Sequence, residues 1–413
     1  MFLLKKVLLN GKEQDILING NQICRIDDDI ENDEAEVIVC QNKAILPSFC
    51  NTHTHASMMF LRGIGEDKEL FSWLNEDIWP REAKLTPEMI YHLSRFALLE
   101  MIKTGTTLFA DMYFYPQETI RAVQDMGIRG AVSFLGMDFF NASKAQIQAA
   151  EMETFLNQKA PSDRIIKGLS CHAIYTTSKP LFLKAKELAT KYNTFLHIHS
   201  SETNQEINDC LKAHHCRPVQ LLRQWGVLGG QTVLAHCLHL DEDEIRTLAE
   251  TKTVIAHCPS SAFKLNSGQM DLQKYLDAGI KVTLGTDGVS SNNSLSMLWE
   301  MKLAALSAKN KANNISAGKV NDIFQIATRN GFEAFGLNAG EITVGKLADF
   351  ILVDLNNVFL MPNHNLISNM IYAADSSCIT DVFCNGVPVM RNRIIPNETE
   401  IKDHFNQIVS FFR

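Results

Sequence analysis

The reading of this chain turns on Ser48-Phe49-Cys50-Asn51-Thr52-His53-Thr54-His55. The apolar run Ala44-Ile45-Leu46 leads into it, and short apolar runs of this kind read as buried strands. Side chains two apart on a strand point to the same face, so His53 and His55 project together, their Cα atoms about 6.6 Å apart. Two imidazoles so placed can reach one metal ion, because zinc–nitrogen bonds are about 2.0–2.1 Å long. A lone histidine is more often a packed core residue. A His-x-His pair closing an apolar run favours ligation.

Downstream of His55, helix-like and strand-like runs alternate. Thr86-Pro87-Glu88 has a capping Thr, Pro at the first helical position and an early acid. Ile90, Leu93, Ala97 and Met101 then mark one helical face, and Gly105 follows where a left-handed cap is expected. The strand-like run Thr106 to Asp111 comes next. Further strands are expected over Gly130 to Phe134, Ile165 to His172, Thr194 to His199, Thr232 to His236, Val254 to His257 and Lys281 to Asp287. Alternation of this kind implies a parallel sheet. Eight units over about 290 residues fit a (β/α)8 TIM-like barrel, with a doubly wound sheet as the alternative.

The two ends of the chain read differently. Val7-Leu8-Leu9, Ile16-Leu17-Ile18 and Val37-Ile38-Val39 are apolar strand centres, and Asn10-Gly11 and Asn19-Gly20 are hairpin turn signals. Strand character returns at Leu347 to Asp354, Asn385-Gly386 is another turn, and the stretch from Glu398 reads as a helix. The expected fold is therefore α/β: a catalytic barrel over residues 47–340, and a small discontinuous β-sandwich domain. Residues 1–46 and 341–413 form the latter, with the terminal helix.

Bulk properties narrow the function. The 413 residues are 46% hydrophobic and 21% charged, with a formal net charge of -8. That composition suits a globular core and gives no support to nucleic-acid binding through a basic surface. The ten cysteines are scattered, several in apolar runs, as in a reduced compartment. Cys210 and Cys216 flank His214 and His215, but no second Cys/His pair stands at zinc-finger spacing. The N-terminal stretch reads as a strand instead of a signal peptide. No run reaches the roughly 18 apolar residues of a membrane span. A cytoplasmic protein without membrane or nucleic-acid partners is expected.

Of the thirteen histidines, His53, His55, His172, His197, His199, His236 and His257 fall at C-terminal ends of expected strands, where barrel active sites are built. His199 ends its strand and Glu202 follows on the loop, within reach of a group bound beside a metal. His197 shares the face of His199 one layer deeper, a place for orienting a ligand or for packing in the core. Asp287 closes an apolar strand, which costs free energy unless the acid is paired or bound to metal. Three histidines and an aspartate suit Zn2+, with Fe2+ as the alternative. Such an ion lowers the pKa of water from about 15.7 to about 7. Glu202 is placed to shuttle protons, and His236 to hydrogen-bond the attacking oxygen.

These motifs, in order, resemble the amidohydrolase superfamily, in its branch of triazine hydrolases and aminohydrolases. The closest likeness is to methylthioadenosine/S-adenosylhomocysteine deaminases, over nearly the whole length. The carrying stretches are Pro47 to His55, Leu61-Arg62-Gly63 with Trp73-Leu74, His197 to Glu202, Leu234 to Cys237, Ala256 to Ser261, Gly285 to Gly288 and Gly345 to Phe350. The resemblance implies that His53, His55, His199 and Asp287 are metal ligands. It implies that Glu202, His236 and Asp287 are catalytic, Asp287 taking the proton of the attacking water. Glu82 matches the family residue that holds the ribose hydroxyls, and His172 another residue of the substrate pocket. Trp79, just upstream of Glu82, reads as a ring-stacking or a core tryptophan. Dinuclear relatives carry a bridging lysine after the fourth strand. Here that place reads Ser170-Cys171-His172, so one metal per chain is expected.

One departure bears on the substrate. Homocysteine-binding relatives show arginine after the third strand, where this chain has Phe134-Leu135-Gly136-Met137-Asp138-Phe139-Phe140. An apolar loop cannot offset the desolvation of a carboxylate, so methylthioadenosine or adenosine is expected over S-adenosylhomocysteine. The open alternatives are deamination or dechlorination of guanine, cytosine, a pterin or an s-triazine and, in a different class, a non-catalytic metal-bound scaffold. Barrel enzymes of this branch are often oligomers, which leaves a homo-oligomer open by analogy.

Overall fold

The computed structural model describes residues 1–68 and 70–412. Among them, strands β1 (Phe2–Leu9), β2 (Lys12–Asn19), β3 (Gln22–Asp27), β4 (Glu36–Val39) and β5 (Lys43–Pro47) come first. Strands β6 (Phe49–Thr54), β7 (Thr106–Tyr113), β8 (Arg129–Gly136), β9 (Ile165–Cys171), β10 (Leu196–Ser200), β11 (Thr232–His236), β12 (Val254–His257) and β13 (Val282–Leu284) follow, each succeeded by helices. The chain ends with β14 (Phe350–Asp354), β15 (Ile379–Cys384), β16 (Val387–Met390) and a helix over Glu398–Phe412.

Strands β6 to β13 form one parallel eight-stranded sheet in chain order. Every residue of β6, β7, β10, β11, β12 and β13 is buried, as helices on the outside and side chains on the inside require. The barrel nearly closes between β13 and β6. Thr52 Oγ1 donates to the Leu284 carbonyl at 2.9 Å, Asn51 holds both the N–H and the hydroxyl of Thr286, and Thr54 bridges Asp287. Gly285 permits this approach, since a Cβ there would lie 2.8 Å from the His53 backbone nitrogen.

Strands of both terminal segments share a second sheet, ordered β16-β15-β14-β5-β1-β2-β3, with β4 beside β1. It packs Leu4, Ile16, Ile18, Ile45, Phe350 and Phe383 into its own core. Arg129, at the start of β8, reaches across to it and grips Asp349 with two hydrogen bonds of 2.9 and 3.0 Å. The terminal helix lies on the helix Pro87–Lys103, with Phe405 stacked on Phe96 at 3.7 Å. No described helix is long and apolar enough to cross a membrane.

Two expectations about strands need correction. Ala44-Ile45-Leu46 does not run on as one strand into His53. It belongs to β5, which pairs antiparallel with β14 in the terminal sheet, and the chain crosses to the barrel at Ser48. The eighth strand stops at Leu284, short of Asp287. The N–H groups of Thr286 and Asp287 are taken by the Asn51 side chain and the His53 carbonyl, so no ladder with β12 continues.

Candidate metal centre

The barrel brings residues from five strand ends together. His53 lies on β6 and His55 just beyond it; His197 and His199 lie on β10, His236 ends β11, His257 ends β12, and Asp287 follows β13. The His53 ring centroid is 4.9 Å from that of His55, 4.8 Å from that of His199 and 5.5 Å from that of His236. Asp287 Oδ1 is 3.2 Å from His55 Nε2 and 3.5 Å from His53 Nε2. Donor atoms of His53, His55 and Asp287 lie within 4.8 Å of one another, as do those of His53, His199 and His236.

The hydrogen bonds leave lone pairs pointing inward. His55 Nδ1 donates to the Met112 carbonyl at 2.7 Å, and His199 Nδ1 to the His172 carbonyl at 2.8 Å. Each bond fixes the tautomer in which Nε2 is free to bind a cation. Among the described residues, neither ring nitrogen of His53, which is 0% exposed, has a hydrogen-bond partner. Buried nitrogens orphaned in this way are costly, and a cation resolves the cost. Imidazole nitrogens with one carboxylate oxygen are the donor set of a divalent-metal site, and these residues fit one.

Burial and mutual charge set the protonation states. Burial alone would raise Asp287, but His53 and His55 hold its carboxyl well below the usual range. Burial lowers His53 to about 4 against the pull of Asp287. It also acts to lower His55, but there Asp287 prevails and the ring rises to about 9. Burial, with the neighbouring histidines, takes His172 down to about 3 and His199 well below its ordinary value. Burial raises Glu202, so this carboxyl keeps its proton to higher pH than a solvated one. Its Oε2 stands 3.7 Å from His236 Nε2.

The loops beneath these groups are strained and tied down. Ser201, His236, Cys237 and Asp287 all have positive φ, of 54°, 71°, 53° and 63°, an outlier conformation that collects at functional sites. Glu206 accepts the backbone N–H groups of Ser201 and Glu202 at 3.0 and 2.8 Å. Asp287 Oδ2 accepts the hydroxyls of Ser261 at 2.6 Å and Ser291 at 3.0 Å. Asp111 takes the Ala56 N–H at 2.7 Å and fixes the turn after His55. The sequence reading assigned no role to Glu206, Ser291 or Asp111. For Glu206 a signal existed, the helix-start pattern Thr203-x-x-Glu206.

A cavity opens above the cluster. Its floor is His55, His199, Glu202, His236 and Asp287, and its wall includes Trp79, Glu82, Tyr113 and His172. Glu82 Oε1 accepts the Tyr113 hydroxyl at 2.6 Å, and His172 Nδ1 pairs with Thr176 Oγ1 at 2.8 Å. Trp79 meets Phe139 edge-on at 6.3 Å. A second cavity of about 760 Å³ shares Trp79, Glu82 and Tyr113 and continues past Phe134 and Phe139. Asp138 turns away from it, accepting the N–H groups of Phe140 and Ser178. His197 packs against His53 at 4.8 Å; neither it nor His257 lines the first cavity among the described residues.

Residues 44–389 match the model of the amidohydrolase family. The chain is 42% identical over 385 residues to a 5'-deoxyadenosine deaminase of Methanosphaera stadtmanae, covering 92% of this chain and 91% of that one. It is 38% identical over 389 residues to a 5-methylthioadenosine/S-adenosylhomocysteine deaminase of Archaeoglobus fulgidus, covering 94% and 92%. Among solved structures, an adenosine deaminase from Xanthomonas campestris with bound zinc superposes with a TM-score of 0.91 at 28% identity, over 99% of this chain and 98% of that one.

Proposed function

The chain belongs to the amidohydrolase family and is a hydrolytic deaminase acting on carbon–nitrogen bonds; from that premise we propose that its substrate is a neutral adenine nucleoside of the adenosine, 5'-deoxyadenosine or methylthioadenosine kind. The observation that carries this reading is a single cavity lined by the histidine–aspartate cluster and by Glu82. A ring amine and a ribose diol can be held in it together.

His53, His55, His199 and Asp287 would hold one divalent cation, zinc before iron(II). When bound, such a cation would supply a polarised water able to lose a proton near neutral pH. Asp287 accepts that proton. Glu202, whose carboxyl burial raises, delivers a proton to the ring nitrogen beside the amino-bearing carbon. His236 hydrogen-bonds the oxygen as it gains negative charge. The proton held by Asp287 passes to the amine, which leaves as ammonia; the ring keeps the oxygen as a carbonyl, and the hydroxyl proton returns to Glu202. Glu82, braced by Tyr113, accepts hydrogen bonds from the ribose hydroxyls. Trp79 and His172 wall the nucleoside in. Among the described residues the charged side chains lining the continuing cavity are the acids Glu82 and Glu151, which would repel a homocysteine carboxylate.

The test is ammonia release from a panel: adenosine, 5'-deoxyadenosine, methylthioadenosine, S-adenosylhomocysteine, guanine, cytosine and an s-triazine, on protein of measured metal content. We expect kcat/KM for the neutral adenine nucleosides to exceed that for S-adenosylhomocysteine by about tenfold or more, the equivalent of roughly 1.4 kcal/mol. Turnover of guanine, cytosine or a triazine with none of any adenine compound would overturn the assignment.

A further inference from the structure

Asp287 is held from behind by parts that are themselves held. Its Oδ2 takes hydroxyls from Ser261, on the helix Pro259–Lys264, and Ser291, on the short helix Val289–Asn292. Each hydroxyl acts at the right distance only if its short helix stays in place. Glu300 joins the two. It projects from the helix Met297–Ala312 and is 0% exposed. Its Oε2 accepts the Ser260 backbone N–H at 3.1 Å, and its Oε1 accepts Asn292 Nδ2 at 2.8 Å. Asn292 Nδ2 also donates to the Thr286 carbonyl at 2.7 Å, in the peptide that leads into Asp287. One carboxylate therefore ties the neighbour of Ser261 to the neighbour of Ser291.

We propose that Glu300 is a positioning residue for Asp287, fixing through Ser260 and Asn292 the two hydroxyls that orient its carboxylate. The proposal rests on the role assigned to Asp287 above. A buried acid without a lysine or arginine partner among the described residues is a costly way to hold a fold. A carboxylate suits a clamp because both oxygens accept and neither donates, matching two N–H donors on opposite sides. Glutamine would present one of them with a donor.

The experiment is a mutant cycle on the metal-loaded protein, with Glu300→Gln, Ser261→Ala/Ser291→Ala and the three together. The readouts are kcat, KM, melting temperature and the rate at which a chelator strips the metal. Glu300→Gln is expected to lower kcat between about ten- and a hundredfold, as a small misplacement of a reacting group can. KM should stay within about twofold, melting temperature should hold, and metal should leave faster. If Glu300 acts through these two hydroxyls, the triple variant loses no more than about twofold beyond Ser261→Ala/Ser291→Ala, the non-additivity of coupled residues. Losses that multiply, or a Glu300→Gln enzyme as fast as wild type beside an inactive Asp287→Asn, would overturn this proposal alone. An Asp287→Asn enzyme as active as wild type would overturn the reading of the site together with it. Should Glu300→Gln not fold, Asn292→Ala cuts the same link from its other end; full kcat there would equally contradict the proposal.

Discussion

Asp349, between the barrel and the terminal sheet, and His53, at the barrel rim, are equally hidden, at 1% and 0% exposure. Asp349 has two hydrogen bonds from Arg129, which is itself buried and also held by Asn385 at 2.7 Å. Asp381 and Asp15, in the terminal sheet, are likewise met by Lys43 and Lys5. At the rim, His53, His197 and His257 have no hydrogen bond to either ring nitrogen among the described residues, and the backbone beneath Asp287 and His236 is strained. Where burial serves stability, each charge meets its complement. Where groups are left open and the chain is bent to aim them, burial serves chemistry, and removing a group should cost activity and spare the fold.

That contrast can be broken in either region. The largest effect is expected from Glu202→Gln, which removes the proposed general acid and should lower kcat by about 10²–10⁴-fold. Melting temperature should stay level or rise, because a carboxyl raised by burial opposes folding when it ionises. A parallel fall in stability would erase the distinction. Next, Arg129→Met leaves Asp349 buried and unpaired, and should cost about 3–5 kcal/mol in denaturant titrations. Turnover per folded molecule should not change, and Arg129→Met with Asp349→Leu should recover most of the loss.

Smaller effects sharpen the same line. Glu82→Gln should raise KM for adenosine by about tenfold, the worth of a hydrogen bond to a charged group, and hardly alter KM for free adenine if that base reacts at all. The terminal sheet should contribute to the acid limb of stability. Burial would raise Asp381, but Lys43, Thr380 and the Asn392 N–H hold it below its ordinary 3.8. Its contribution is thus fully present above about pH 4 and lost as pH falls through the lowered folded value. Melting temperature of Asp381→Asn should be lower at pH 7 yet fall less steeply below pH 4 than that of wild type; equal slopes would remove Asp381 from the acid limb.

Much of this was legible in the linear sequence because alternating strands and helices write their period locally. His-x-His at the end of an apolar run, and an acid at the end of another, could be read as inward-facing groups before any contact was known. The crossing at Ser48 could not. Ala44–Pro47 and Phe49–Thr54 look alike in hydropathy, and only pairing with distant β14 sends the first to another sheet. Nor could the early end of β13, which follows from the close approach of Gly285 to His53. Tyr113, Ser291 and Glu300 acquire meaning only from what they touch. For Glu300 a trace existed, an acid set inside Leu298-Trp299-Glu300-Met301.

The claim beneath all of this is that His53, His55, His199 and Asp287 share a divalent cation, and elemental analysis of purified protein beside a His55→Ala/Asp287→Asn variant tests it most directly. The account predicts close to one equivalent of zinc or iron per wild-type chain, and a folded variant with little or none. An active wild-type enzyme free of metal, or equal metal in both proteins, would contradict it.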